Sequence, residues 1–461
     1  MQSSNVENYL ARCFTYGKDY EQISKIQFHI PTESIKKYKN ENKGKIRNRV
    51  FSIETTLLGM LIQAGHEDKS MQNAVVMLSK SHNERKELIE KERNKIRENE
   101  LAELEKLKAA GQKKTGRPKK HFLKVQKSKE KEISNYPSSY DEATKRFSLE
   151  LIKDIFGETT DWNRNEGNKK QFSWKGREVF VVDGTTYKTQ DNKELREYFD
   201  CDREKTYQPL PIGKMEGVIN LYRGGVVAVE VDKYTSSEGR MFKKLFNRIP
   251  KDSLVLADDL YSKYGYFSFC KTRNLDLIVQ SKRKNKETVI KNISENDTIV
   301  KWERGINRNS VLYNESTEME SEIELRKIHA IDPLKPDREM TIYTTLLDAQ
   351  KYPAVDIVSL YLKRWEIEIS FRQIKTILKM EYLRGKSVEM VKKEIYAHLI
   401  LYNIIRKMIR EETPTENGDF PPYGSPVQTC TTVAKGAYVD KLGRSYHAWN
   451  AGRHKKTVEQ E

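Results

Sequence analysis

The sequence predicts an α/β protein preceded by an α-helical region. Three observations lead to this prediction. Apolar β-type segments and helical segments alternate between residues 177 and 280 in the order strand, strand, strand, helix, strand, helix, strand. Charged β-type segments then interrupt the series, and strongly helical sequence follows them. The chain therefore divides into a helical N-terminal region (1–110), a basic linker (111–136), a first core segment (137–282), a β-rich insertion (283–345), a second core segment (346–410) and a polar tail (411–461).

The composition of the chain indicates the kind of molecule that it binds. The chain has 461 residues and a formal net charge of +17, which favours a polyanion, with nucleic acid preferred to an anionic membrane surface. No segment approaches the roughly 18 apolar residues that span a bilayer, and the N-terminus lacks the features of a signal peptide. We therefore expect a cytoplasmic protein without a membrane partner. The cysteines are far apart and predict free thiols in a reducing compartment: Cys13, Cys201, Cys270 and Cys430.

Two candidate DNA-binding features precede the core, and the first lies in the N-terminal region. An apolar helix is predicted from Ser52 to Gly65 and a second short helix from Ser70 to Leu78. Such a pair forms either a DNA-binding helix-turn-helix or a small helical subdomain. The residues from 82 to 110 are dominated by Glu, Lys and Arg, which predicts a long solvated helix.

The basic linker is the second feature. Its Gly116-Arg117-Pro118-Lys119 segment resembles an AT-hook, in which an extended Arg-Pro segment enters a narrow minor groove. Thr115 stands where an AT-hook usually has Arg, so a charged linker is the alternative. In either case Arg117 and Lys119 can contact phosphates without reading bases.

Three acidic residues are the candidates for chemistry. Asp183 and Asp258 each close an apolar predicted strand, and Glu368 lies on a predicted helix. Taken singly, each aspartate could cap a helix or form a turn. Gathered at one point, the three would repel each other unless cations were bound. Oxygen ligands suit Mg²⁺ or Mn²⁺, and two such ions about 4 Å apart support phosphodiester chemistry.

The helix that carries Glu368 is predicted to run unbroken from residue 361 to 375, because it lacks Pro and Gly. One narrow polar stripe, flanked by apolar residues, contains Tyr361, Arg364, Glu368 and Lys375. Ser370 and Gln373 fall on the solvated face. The Arg364–Glu368 spacing fits a buried ion pair or a functional site. In the latter, Arg364 and Lys375 would bind DNA phosphates and Tyr361 would add a hydroxyl contact or stack.

These residues resemble a known family. The spacing Tyr361-x2-Arg364-x3-Glu368-x6-Lys375 matches the Tyr-Arg-Glu-Lys motif of the DDE transposases of insertion sequence family four. An Asp-Gly-Thr at Asp183 and an Ala-Asp-x-x-Tyr ending at Tyr261 precede it in the order that the family has. The resemblance covers about residues 45–410, and the family also carries a β-rich insertion between its second and third acids.

The resemblance implies a ribonuclease-H-like catalytic core and a cut-and-paste transposase. Its catalytic and metal-binding residues would be Asp183, Asp258 and Glu368, with Mg²⁺ (or Mn²⁺), two ions, as cofactor. Its partners would be double-stranded DNA, as terminal inverted repeats and target, and a second copy in a synaptic homodimer on the bacterial nucleoid. The alternatives are a non-catalytic DNA-binding protein derived from a transposase, and a ribonuclease-H-like nuclease or resolvase.

Two details of the resemblance stay open. The family often has Arg after the second aspartate, whereas this chain has Asp259, so either Asp258 or Asp259 could be the ligand; the position of Tyr261 favours Asp258. Family members commonly form a hairpin at the transposon end with a flipped base packed on an aromatic side chain. Trp365 and Tyr343 are the candidates for that contact.

Overall fold

The computed structural model describes residues 19–44, 50–66, 68–109, 133, 136–165, 172–199, 210–236, 238–282, 286–305, 320–332 and 335–412. Several predicted features lie outside these residues, namely Arg117 and Lys119 in the basic linker, almost the whole polar tail, and three of the cysteines. The remaining cysteine, Cys270, is a buried free thiol, as predicted. Within the described helices, none combines the length and apolar character needed to cross a membrane.

Nine described strands form one sheet in the order β3-β2-β1-β4-β5-β9-β8-β7-β6. Their bounds are β1 Val179–Lys188, β2 Ile212–Asn220, β3 Val226–Lys233, β4 Leu254–Ala257, β5 Asp276–Gln280, β6 Thr288–Ser294, β7 Asp297–Glu303, β8 Glu322–Asp332 and β9 Lys335–Thr344. The strand β1 is antiparallel to β2, and β4 is parallel to both β1 and β5. This confirms the mixed α/β prediction.

The β-rich segment predicted at 283–345 contains the strands β6 to β9, and these extend the core sheet. The strand β9 pairs antiparallel with the free edge of β5, and β8, β7 and β6 follow in turn. Pairing at that edge removes unpaired backbone groups that β5 would otherwise present. The four strands therefore share one hydrogen-bonded sheet with the core.

Twelve α-helices are described. Their bounds are α1 Asp19–Phe28, α2 Glu33–Glu41, α3 Ile53–Gly65, α4 Met71–Ala109, α5 Ser138–Arg146, α6 Leu149–Asn165, α7 Lys193–Phe199, α8 Glu238–Phe246, α9 Tyr264–Thr272, α10 Ala354–Leu362, α11 Trp365–Arg372 and α12 Val388–Glu412. The order of strands and helices from β1 to β5 agrees with the prediction except for α7, which the sequence analysis missed. The two helices predicted at 70–78 and 82–110 are one 39-residue helix, α4.

Apolar side chains alternate between the two faces of the sheet, and helices cover both. We call the side of Val179 and Val181 the front face; α11 and α12 pack there. Phe180 and Val182 point to the back face, which α8 and α9 cover. A sheet covered on both faces explains why β1 and β4 begin as continuous apolar runs.

The N-terminal helices belong to the front-face core. The residue before α3 is Ser52, whose hydroxyl accepts a bond from Thr55 N–H at 3.2 Å and so caps the helix. Most of α3 is buried, and it packs against α12. A buried helix cannot enter a DNA groove, so in a helix-turn-helix α3 could only support its partner. The DNA-binding role of this region stays a prediction.

The prediction of one continuous helix from 361 to 375 is wrong. The helix α10 ends at Leu362, a turn at Lys363 and Arg364 follows, and α11 continues into a π-helical turn, Gln373–Ile377. Ser370 and Gln373, predicted to face solvent, are buried. The segment lies between the sheet and α12, where Tyr402 donates to Gln373 at 3.3 Å, so the part of the predicted far face that carries Ser370 and Gln373 is an interior surface.

Candidate active site

The first predicted acid, Asp183, lies within β1. The strand continues past it to Lys188, so the prediction that Asp183 closes a strand is wrong. The parallel pairing of β1 with β4 ends at Val181, whereas the pairing with β2 continues beyond it. By alternation with Val179 and Val181, Asp183 lies on the front face, where the edge of β1 leaves β4.

The second predicted acid, Asp258, directly follows β4 as predicted. Its Oδ1 accepts a bond from Leu260 N–H at 3.0 Å and so caps the short 3₁₀ turn Asp259–Tyr261. Leu256 packs on the front face, and Asp258 continues the same alternation. Because β1 and β4 are parallel neighbours, Asp183 and Asp258 lie at the same edge of the sheet.

Glu368 reaches this edge because α11 packs on the strand next to Asp183. Gly217 of β2 is paired with Asp183, and a Cβ at residue 217 would lie 2.9 Å from the ring of Phe371. The absence of a side chain at Gly217 lets that ring approach the backbone. Phe371 is one helical turn after Glu368, so this contact sets the position of Glu368 relative to Asp183.

The three acids share one electrostatic environment. Burial raises the pKa of Asp183 from its ordinary 3.8 to about 6, and the charges of Asp258 and Glu368 add to the rise. The hydrogen bond from Gly184 N–H, 2.8 Å long, and the charge of Arg364 oppose it. The charges of Asp258 and Glu368 therefore disfavour ionisation of Asp183.

Arg364 is the cation of this cluster. Its Nη2 donates to Glu368 Oε1 at 2.7 Å, and both side chains are largely buried. Burial acts to lower the pKa of Arg364, but Tyr361, the bond to Glu368 and the charge of Asp183 together raise it. The predicted Arg364–Glu368 pair is present, and it lies inside the candidate site.

Tyr361 has a different place from the one expected. Its side chain is buried, and its hydroxyl donates to the carbonyl of Ala257 at 3.2 Å. Burial raises its pKa to about 12. Tyr361 therefore supports the backbone immediately before Asp258 and cannot stack on a base. Lys375 is half-buried in the π-helical turn.

The end of the π-helical turn is held by Lys69, a residue that the sequence analysis did not single out. Lys69, between α3 and α4, donates through Nζ to the carbonyls of Ala64, at 3.2 Å, and of Leu378, just after the π-helical turn. Its Nζ also lies 2.7 Å from His398 Nε2 of α12. Burial lowers the pKa of Lys69 to about 8. An ordinary lysine in a polar turn gives no sequence signal for such a role.

The two aromatic candidates differ in access. Tyr343 is buried and donates its hydroxyl to Glu287 at 2.9 Å, so it cannot receive a base and that candidacy is wrong. Trp365, at the start of α11, is 53% exposed and is the one of the two that a base could reach.

The donor set suits a hard divalent cation, because it consists of carboxylate oxygens. In the part of the chain that the structure describes, no three acidic, His or Cys side chains are arranged to hold one ion together. Glu368 Oε1 is instead paired with the guanidinium of Arg364. The raised pKa of Asp183, which is due mainly to burial and in smaller part to Asp258 and Glu368, shows that the ionised carboxylate is disfavoured in the protein without a cation.

The protein is basic and has an α/β fold, and acidic side chains lie at the ends of two parallel strands. These features are typical of a metal-dependent enzyme that acts on nucleic acid. Comparison with known proteins agrees. The family model described as "Transposase DDE domain" matches residues 174–404. The chain belongs to this family of DNA transposases, metal-dependent enzymes that cleave and transfer DNA strands.

Individual relatives are similar over different lengths. The transposase InsG for insertion sequence element IS4 of Escherichia coli (strain K12) is 21% identical over 304 residues, which cover 65% of this chain and 67% of that protein. The transposase for insertion sequence element IS421 of Escherichia coli is 33% identical over 78 residues, 17% of this chain and 20% of that protein. A piggyBac transposase in a synaptic complex with hairpin DNA aligns with a TM-score of 0.38 and 8% identity, covering 90% of this chain and 76% of that one.

Proposed function

We propose that this transposase cleaves the terminal inverted repeats of its own insertion sequence and joins the freed ends to target DNA. The observation that carries the proposal is the parallel register of β1 and β4, which sets Asp183 and Asp258 at the same end of neighbouring strands, beside the helix that carries Glu368. Three half-buried acids near one point are unfavourable without cations, which supports a metal site there.

In this proposal Asp183, Asp258 and Glu368 hold two divalent ions, Mg²⁺ or Mn²⁺. Bound there, the ions would activate a water or a 3′-hydroxyl and stabilise the leaving oxygen. Tyr361 fixes the carbonyl before Asp258 and so orients that carboxylate. Arg364 neutralises the carboxylates of the metal-free protein, and in the DNA complex its guanidinium binds a phosphate oxygen.

The remaining roles follow the same proposal. The strand order β3-β2-β1-β4-β5 supports a ribonuclease-H-like core, with β6 to β9 as its insertion. Lys375, together with Arg117 and Lys119 of the basic linker, contacts DNA phosphates. The N-terminal helices bind the repeat, and two copies pair the two ends in a synaptic homodimer on the nucleoid.

Incubation of the purified protein with the DNA that flanks its own gene, in Mg²⁺, tests the proposal. We expect nicks at the ends of the inverted repeats that expose 3′-hydroxyls, and strand-transfer products with added target DNA. Asp258→Asn and Glu368→Gln should each abolish nicking and keep DNA binding, because they remove a metal-binding charge and preserve side-chain size. Glu381→Gln, a change on an exposed acid, is the matched control.

Two outcomes would contradict the proposal. Binding of the ends without cleavage in Mg²⁺ or Mn²⁺ would favour the non-catalytic DNA-binding protein. Cleavage that ignores the repeat sequence and follows branched DNA structure would favour the nuclease or resolvase.

A further inference from the structure

Asp259 makes contacts that differ from those of its neighbour Asp258. Its Oδ1 accepts a bond from Ser262 Oγ at 2.9 Å and another from the backbone N–H of Lys282 at 3.0 Å. Ser262 follows the short turn after β4, whereas Lys282 lies two residues after the end of β5. The carboxylate therefore joins the segments that leave two adjacent parallel strands.

A second hydrogen bond, between two serine side chains, also joins these segments. Ser281 Oγ donates to Ser262 Oγ at 3.2 Å, and both serines are buried. The next residue, Lys282, donates its backbone N–H to Asp259, and its side chain is exposed. Lys282 is thus an exposed cation on a backbone that is fixed from inside the protein.

Lys282 is held close to the candidate site. Asp258 and Asp259 are consecutive, with Cα atoms about 3.8 Å apart, and the Asp259 side chain reaches Lys282 N, so the Lys282 backbone lies within about 10 Å of Asp258. Successive phosphates of one DNA strand advance by about 3.4 Å along the axis. That distance equals about three phosphate spacings, so Lys282 is near enough to reach a phosphate of a strand whose scissile phosphate lies at Asp258.

We propose that Asp259 is a positioning residue that holds Lys282 beside the site, where Lys282 binds a phosphate of the strand being cut. The inference rests on the proposed function and deepens it. The cation stands on the segment that follows β5, and Asp259 is bonded to the backbone of that segment.

The test uses single-turnover cleavage of inverted-repeat DNA in Mg²⁺ with a double-mutant cycle. Asp259→Ala removes the acceptor and should slow cleavage by about 10- to 100-fold, since a displacement of about 1 Å near a site has effects of that size. Asp259→Asn keeps an oxygen acceptor for Lys282 N–H and should restore most of the rate. Lys282→Ala should slow cleavage, and the double variant should be no slower than Asp259→Ala alone.

Lys263→Ala, which removes an exposed lysine from the segment after Asp259, is the matched control, and its effect should multiply with that of Asp259→Ala. Salt titration of DNA binding gives a readout that does not need catalysis. Asp259→Ala and Lys282→Ala should each reduce the slope of log affinity against log salt by about one phosphate contact, and together by the same amount.

Three results would overturn the proposal: a wild-type rate for Asp259→Ala, independent effects of the two substitutions, or loss of cleavage in Asp259→Asn equal to that in Asp258→Asn. The last would make Asp259 a metal ligand. Failure of the wild-type protein to cleave would instead count against the proposed function, and the salt titration would still decide between a placed and an unplaced Lys282.

Discussion

Replacing Asp183 by Asn should stabilise the metal-free protein. The pKa of Asp183 rises from 3.8 to about 6, chiefly through burial, and one pKa unit corresponds to about 1.4 kcal/mol. The ionised carboxylate therefore lowers the free energy of unfolding by up to about 3 kcal/mol above pH 6. Asn removes the charge, and its side-chain oxygen can still accept the bond from Gly184 N–H. We expect Asp183→Asn to raise the free energy of unfolding by about 1–3 kcal/mol at neutral pH.

The pH dependence gives the sign of the effect. Because the folded-state pKa is raised, the folded protein holds more protons than the unfolded chain between about pH 4 and 6, so wild-type stability falls as pH rises through that window. The difference in the free energy of unfolding between Asp183→Asn and the wild type should be near zero below about pH 4 and constant above about pH 6. Urea unfolding at several pH values, with a chelator present, measures this difference.

With divalent ions present, the wild type should be more stable than Asp183→Asn. Mg²⁺ binds the folded wild type and stabilises it in proportion to the logarithm of its concentration, whereas Asp183→Asn should gain much less. Asp191→Asn serves as the control, because Asp191 is exposed and paired with Arg196, so its loss should not stabilise the protein. A variant no more stable than wild type in chelator, or a difference that ignores pH, would refute the reasoning.

Three further predictions concern other parts of the molecule. Gly217→Ala should displace Phe371 and slow end cleavage by about 10-fold or more with DNA binding unchanged, whereas Gly157→Ala, where a Cβ meets nothing within 4 Å, should cleave normally; equal rates in the two would contradict the packing argument. Lys69→Met should leave buried carbonyls without their donor and lower the free energy of unfolding by about 1–3 kcal/mol, which urea unfolding would show as a lower midpoint. Deletion of 111–135 should flatten the salt dependence of end binding measured by gel shift, and an unchanged slope would leave it as a linker only.

The sequence by itself determined the strands, the chemistry and the family. Apolar runs such as Val179–Val182 and Leu254–Ala257 are local signals, because a strand buried on both faces needs apolar side chains throughout. The spacing from Tyr361 to Lys375 identified the family without coordinates. The oxygen-only acid set likewise indicated Mg²⁺ or Mn²⁺ as soon as the three residues were considered together.

The tertiary structure alone decided which segments meet. Pairing of β9 with β5 depends on partners more than 60 residues apart, and no local pattern encodes that choice. The break at Lys363 and Arg364 occurs in a sequence of good helix formers, so local propensity does not predict it.

The same distinction applies inside the candidate site. The sequence left both Asp258 and Asp259 as candidate ligands, because both are acids next to the end of β4, and only the spacing to Tyr261 favoured Asp258. Only the fold showed that Asp258 shares the front face with Asp183 while Asp259 accepts the backbone bond of Lys282. The direction of a side chain in a turn is set by the bonds available around it, and one partner of Asp259, Lys282, comes from the segment after β5, outside the local sequence.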